Sequence, residues 1–177
     1  WGSPGAPFHW LRSDNRAGGQ LAAEHLLSLG RRHFAFIGPS AGISRQFDER
    51  RDGFMATLQH HGRTGVTIDP PSGPDRQAEG IAAAHHLLDT HPETDALFVS
   101  SDMLALGVLQ GLKERNCRVP QDIAVIGFDG VRAGAFADPA LTTLEPDLDE
   151  AGEALVAIAL EDKDHLHGGN RVPVRLL

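Results

Sequence analysis

Two apolar runs joined by one short crossover restrict what this chain can become. Ala96-Leu97-Phe98-Val99 is short and continuous, as a parallel strand buried on both faces must be, and it leads straight into Ser100-Ser101-Asp102. Short polar side chains of that kind cap helices. The helix they open sets Leu104, Val108 and Leu112 on one stripe, and Gly107 predicts a close approach to the sheet. Pro120 closes the following turn, and Ile123 to Phe128 forms a second buried strand that also ends in a carboxylate, Asp129. Asp102 and Asp129 therefore stand just past the carboxyl ends of strands joined by one crossover. In an open α/β sheet that edge is where ligands bind.

The rest of the chain repeats the alternation. Trp1 to Pro7 is rich in Gly and Pro and reads as a loop, Phe8 to Leu11 as a strand, and Asp14-Asn15 as the cap of a helix over Ala17 to Leu29. That helix carries a wet stripe of Arg16, Gln20, Glu24 and Ser28, with Leu21, Ala22, Leu26 and Leu29 facing inward. Phe34 to Ile37 is the next strand, followed by a helix from Arg45 to His61 that packs Phe47, Phe54, Met55 and Leu58. Val66 to Ile68 reads as a strand, and a helix over Gln77 to Asp89 buries Ala78, Ile81, Ala82 and Leu88. After Asp129 come a short extension at Thr142-Thr143-Leu144, an amphipathic helix over Leu148 to Leu160, and a last strand whose Pro173 suits an edge. Short links between alternating strands and helices imply a doubly wound parallel sheet, complete from Arg32 to about Leu144.

Composition narrows the function classes. With 177 residues and 41% hydrophobic content the chain can bury one good core and part of a second. A formal net charge of −8 makes it a poor ligand for nucleic acid phosphates. The single cysteine, Cys117, precludes an internal disulfide and fits a reducing compartment, so the cytoplasm is expected. No apolar run approaches the roughly 18 residues of a membrane-spanning helix, and no basic-then-apolar leader is present, so no membrane partner is expected. The chain begins at Trp1 rather than Met, and reads as a fragment or a processed chain.

The block from Ser100 to Gly130, with Arg50-Arg51-Asp52-Gly53-Phe54 upstream and Leu141-Thr142-Thr143-Leu144 downstream, resembles the effector-binding core of the lactose-repressor/galactose-repressor (LacI/GalR) family of bacterial transcription regulators. The likeness runs from Asp14 to Leu177. It implies a periplasmic-binding-protein-like fold, two α/β subdomains with a ligand cleft between them. On that reading 1–31 is the tail of the N-terminal subdomain, 32–144 the complete C-terminal effector-binding subdomain, 145–168 a helix returning to the N-terminal subdomain, and 169–177 the last strand of the C-terminal one. The helices over 17–29 and 148–160 then lack the sheet their apolar faces fit, and are expected to be poorly ordered, displaced or covered by a neighbour. The family's helix-turn-helix DNA-binding domain is absent from this chain. The implied partners are a sugar-like effector, operator DNA through that missing domain, and a second copy of the chain.

A carboxylate that accepts two hydrogen bonds and a guanidinium that donates two can fix a sugar diol in one orientation. Asp129 and Arg50 are the expected pair, Arg50 being by resemblance the arginine of the R-x-x-G-F pattern. Each has a plainer reading: Arg50 as a solvated helix arginine, Asp129 as a turn former before Gly130. Asp102 is either a ligand contact or the cap of its own helix. The resemblance also places Ser44, Gln46, Ser101, Pro146 and Leu148 on the cleft. Asp75 stands where many sugar-binding relatives carry a stacking aromatic, so that stacking surface is lost or supplied elsewhere. Leu106 and Phe136 match positions used for dimerisation, with core packing as their alternative.

Other chemistries have less support. Gly38-Pro39-Ser40-Ala41-Gly42 matches the nucleophile elbow G-x-S-x-G, with Asp129 and His165 or His167 as triad partners for a hydrolase built on Ser40. The elbow needs a helix to begin at the serine, whereas Pro39 and Gly42 favour a longer loop. A secreted solute-binding protein would share the fold but require a leader peptide. Ten histidines include the pairs His60-His61 and His85-His86, yet adjacent helix residues point about 100° apart and suit exposed surface better than a metal. No dinucleotide or Walker motif appears, so neither metal nor cofactor is expected.

Overall fold

The computed structural model describes residues 10–160 and 169–177. A six-stranded sheet carries the molecule, built from β2 (Phe34–Ile37), β3 (Gly65–Ile68), β4 (Ala96–Val99), β5 (Ala124–Phe128), β6 (Thr142–Pro146) and β8 (Val174–Leu176). Its order is β3-β2-β4-β5-β6-β8, parallel except that β8 runs antiparallel to β6 at the edge. Beside it lies a two-stranded parallel sheet of β1 (Trp10–Ser13) and β7 (Gly169–Val172).

Alternation along the central strands produces two cores. Phe34 and Phe36, Ala96 and Phe98, and Ala124, Ile126 and Phe128 project to one face, where α1 (Asn15–Ser28) and α2 (Arg45–His60) cover them. Ala35, Ile37, Leu97, Val99 and Val125 project to the other, beneath α3 (Arg76–Thr90) and α4 (Asp102–Glu114). Phe36, Phe54 and Phe98 meet edge-on or tilted, with ring centroids 5.4 to 5.5 Å apart. The doubly wound parallel sheet expected from the sequence is the observed architecture.

Three expectations about packing need correction, and they share a cause. The helix over 17–29 is neither displaced nor uncovered: α1 lies against α2 and the large sheet, with Ala22, Ala23 and Leu26 buried and Leu29 half exposed. The inward stripe of α3 is Gly80, Ala83, Ala84 and Leu87, one position off the stripe that bulky side chains suggest. Gly107 approaches α3 rather than the sheet, since a Cβ there would fall 2.1 Å from the Gln77 carbonyl oxygen. In each case small residues make the contact, because backbones that pack this closely leave no room for large ones. Gly53 shows it for α2, where a Cβ would lie 2.2 Å from the Arg16 carbonyl oxygen of α1.

The expected last strand also divides. Residues 169–172 pair with β1 in the small sheet, and Val174–Leu176 pair with β6 in the large one, so Pro173 sits between strands, where its missing N–H breaks no ladder. The chain thus passes between the sheets three times: Ser13 to Asp14, Pro146 to Asp147, and Val172 to Pro173. The passages are stitched together by Asp14 N–H donating to the Val172 carbonyl (2.7 Å) and Asp147 N–H to the Pro173 carbonyl (3.0 Å). The remaining helix, α5 (Leu148–Leu160), packs Ala151 on Leu11 and Val172 but leaves Leu155, Val156 and Leu160 open, Leu160 at 81% exposure. Trp1 to His9, expected as a loop and the start of a strand, and the histidines at 165 and 167 lie outside the described residues.

Close helix contact predicts opposite outcomes for two glycine substitutions. Gly53→Ala should lower stability by about 1–3 kcal/mol through overpacking, seen as a lower urea midpoint at unchanged slope. Gly152→Ala, on the open face of α5 with nothing within 4 Å of its Cβ, should raise stability by up to about 1 kcal/mol.

Candidate functional site

A cleft of about 550 Å³ opens at the carboxyl edge of the large sheet, where the chain passes to the small one. Arg50 forms its floor. The residue lies one and a half turns into α2, is only 4% exposed, and has its guanidinium 3.5 Å from the Phe128 ring centroid at the end of β5. Its Nε donates to Asn15 Oδ1 (2.9 Å) and its Nη1 to the Ser100 carbonyl beyond β4. Nη2 is left toward the cleft, 3.6 Å from Asp129 Oδ1. Burial lowers the Arg50 pKa to about 10 against the opposing pull of Asp129 and Asp102, which still leaves it a cation at neutral pH.

Asp129 follows β5 directly and is held at φ 125°, in a region that costs a non-glycine residue about 1–3 kcal/mol. Its side chain is 40% exposed to the cleft. Burial of the remainder pushes its pKa up to about 6; Arg50 opposes the rise and the Asp102 charge adds to it. A carboxylate beside a guanidinium edge, both turned to one cleft, can grip a vicinal diol.

Ser44, Gln46, Ser101, Pro146 and Leu148 join Arg50 and Asp129 on the cleft wall. The Ser101 side chain does not cap α4, although the residue occupies the cap position. Two expected contacts are elsewhere. Asp102 is fully buried, with Oδ2 accepting from Val131 N–H (2.7 Å) and Oδ1 from the Thr143 hydroxyl (2.6 Å), so it neither lines the cleft nor caps its helix. Asp75 caps α3 by accepting from Ala78 N–H (2.8 Å) and does not line the cleft; a short acid before a helix is satisfied by that helix's amides. Leu106 is half-buried on α4, and Phe136, at 82% exposure in the 3₁₀ turn Arg132–Phe136, is not core.

The cleft also contains residues that sequence reasoning missed. Arg12 and Ser13 arrive on β1, Asn15 on the first turn of α1, and Arg45 and Phe47 on the first turn of α2. Arg12 donates to Glu49 (2.7 Å), which Arg45 also reaches (3.2 Å). Phe47, expected in the core, lies 5.3 Å from the Arg50 guanidinium on the cleft side. The available signal was Asp14-Asn15: Asp14 does cap α1 through Ala17 N–H (3.2 Å), which leaves the Asn15 amide for Arg50.

The alternative chemistries lack their geometry. Ser40 bonds Asp69 through both its hydroxyl and its N–H, and the next helix begins only at Arg45, so the strand-to-helix elbow is not formed. Among the described residues, no three of His, Cys, Asp and Glu come together as metal ligands, and no helix is long and apolar enough to cross a membrane.

Comparison with known proteins identifies the family of the fold. The family described as the periplasmic binding protein-like domain matches residues 23–176. The ribose operon repressor of Halalkalibacterium halodurans is 33% identical over 142 residues, covering 80% of this chain and 42% of the repressor. The HTH-type transcriptional regulator CelR of Thermobifida fusca is 31% identical over 180 residues, covering 99% of this chain and 51% of CelR. The chain thus spans about half the length of the curated relatives it matches, which are regulators rather than enzymes. The crystal structure of a LacI family transcriptional regulator from Enterococcus faecium with bound ribose superposes with a TM-score of 0.82 at 26% identity, covering 94% of this chain and 62% of that one.

Replacing the Arg50 fork by a point charge tests its structural share. Arg50→Lys should cost about 1–3 kcal/mol in urea unfolding, because one ammonium cannot serve Asn15, Ser100 and the Phe128 face together. Arg51→Lys, on the outer side of α2 beside Asp48, should change stability by no more than about 0.5 kcal/mol.

Proposed function

Since the chain belongs to the periplasmic binding protein-like domain family, alongside the cores of LacI-type regulators, we propose that it is the effector-binding core of such a regulator. The effector is a sugar or a similar polyhydroxy compound, gripped by Arg50 and Asp129. The observation that carries this reading is the buried Arg50 with one edge turned to Asp129 at the sheet's carboxyl edge, the complement of a vicinal diol. Support comes from the relatives: one is named for the ribose operon, and one solved neighbour holds ribose. Ser44, Gln46 and Ser101 add hydrogen-bonding groups on the same wall, while Pro146 and Leu148 add an apolar edge. A bound sugar draws the two sheets toward one relative orientation and so biases how attached DNA-binding heads sit on an operator. The chain acts in the cytoplasm as a homodimer, through the outer face of α4 with Leu106 and the exposed Phe136. No step of bond making is involved.

Thermal unfolding of the intact protein against ribose, cellobiose, lactose and other simple sugars tests the proposal. A ligand at 100 times its dissociation constant should add about 2.7 kcal/mol, and the shift should vanish in Arg50→Ala and Asp129→Ala. A shift that survives both substitutions places the ligand elsewhere.

The raised Asp129 pKa has a pH consequence with a definite sign. The folded carboxyl holds its proton more tightly than the unfolded chain does, so its contribution to ligand-free stability is present below about pH 4 and is lost as pH rises through about 6. The ionised form is the one that accepts two ligand hydroxyls. Affinity should therefore fall about tenfold between pH 7.5 and pH 5, and the dependence should disappear in Asp129→Asn, as isothermal titration at each pH would show.

A further inference from the structure

Asp102 is spent on something other than its helix. The cap position of α4 belongs to Ser101, and the Asp102 carboxylate reaches away to Val131, 29 residues on, and to Thr143, 41 residues on. It lies flat against β5, where a Cβ on Gly127 would come within 2.1 Å of its Oδ1. Between β5 and Val131 stand two residues of positive φ, Asp129 at 125° and Gly130 at 71°. A turn of that kind relaxes unless both flanks are held. Upstream the sheet holds it, with Asp129 N–H donating to the Leu144 carbonyl (2.8 Å). Downstream the holding groups are Asp102 on Val131 N–H and Thr143 Oγ1 on Gly130 N–H (3.4 Å).

We propose that Asp102 is a positioning residue of the cleft: its buried carboxylate clasps the downstream flank of the 129–130 turn through Val131 N–H and Thr143, and so holds Asp129 in the strained conformation that faces the ligand. The proposal rests on the effector-binding reading of Arg50 and Asp129, and it assigns Asp102 no contact with ligand. The charged groups facing the clasp are Arg50 from α2, Asp129 itself, and Glu145 of β6, which packs on Gly130 and is paired with Arg175 of β8 (2.8 Å). Thr143 is the neutral partner that lets the clasp be tested without removing the charge.

The experiment has two readouts on the intact protein: ¹³C carboxyl titration of Asp129 by NMR without ligand, and calorimetric binding of ribose, cellobiose and lactose at pH 7.5. Asp102→Asn keeps both bonds, its amide oxygen accepting from Val131 and its NH₂ donating to Thr143, but it loses the charge. Binding should stay within about threefold while the Asp129 midpoint falls by about half a unit or more. Asp102→Ala should free the turn and weaken binding about tenfold or more. Thr143→Val, which keeps the charge, should weaken binding by a smaller factor and serves if the alanine variant does not fold. An unmoved Asp129 midpoint in Thr143→Val, which cuts a clasp bond and keeps the charge, or parental affinity in Asp102→Ala or Thr143→Val, overturns the clasp. If the parent binds none of the three sugars, the effector reading of the cleft fails for them, while the titration still decides the clasp.

Discussion

A guanidinium removed from water has to be satisfied on every side, and the fold converges on Arg50 to do it. Asn15 of α1, the Ser100 carbonyl beyond β4, the Phe128 ring of β5 and the Asp129 carboxylate each supply one of its surroundings. The helices α1 and α2 and the ends of β4 and β5 are thereby held at one depth along the sheet. The core's upper boundary and the cleft's floor are the same side chain, so a change at the site is also a change in the packing. This explains why α1, nominally a leading helix, is built into the large subdomain: without it the Nε of Arg50 has no acceptor.

The acid opposite has the complementary problem. Asp129 carries an unfavourable backbone conformation and an elevated pKa, two costs that stability alone would remove. They are tolerated where the strand ends, the helix α4 begins and Arg50 faces upward. Burial dominates both shifts at this spot, lowering the basic group and raising the acidic one, so the pair is less strongly ionic than its charges suggest. A neutral polyhydroxy ligand suits such a pair better than bulk water does, since it brings donors and acceptors already oriented.

Much of this was legible in the chain itself. The run from Ala96 to Asp129 read as strand, crossover helix and strand, as is seen, because buried parallel strands admit only apolar residues and their ends demand polar ones; the side-chain cap expected between them is not formed. Arg50 and Asp129 were placed by resemblance, and the structure brings them together. What escaped were contacts made by the absence of a side chain. Gly80, Gly107, Gly19 and Gly53 let helix backbones touch, and a reading weighted by large apolar residues puts the inward face of α3 one position out. Arg12 and Asn15 escaped for another reason: they reach the cleft from a strand and a helix start that belong to different sheets, and no local period marks such a meeting. Asp102 and Asp75 show the limit of position alone. Both precede or open a helix, yet one caps it and the other serves a turn 29 residues away, a difference decided by what packs above them.

The three stitched passages between the sheets have a mechanical meaning. Each is a single residue between two regular elements, and the amide bonds from Asp14 to Val172 and from Asp147 to Pro173 keep them side by side. Stretching or sliding one sheet past the other would break those bonds or strain three backbones at once. A small torsion shared by the three, about an axis running between the sheets, strains each of them least. On this geometry the small sheet and α5 would turn as a lever on a single pivot, and a cleft occupant would select an angle rather than a shape.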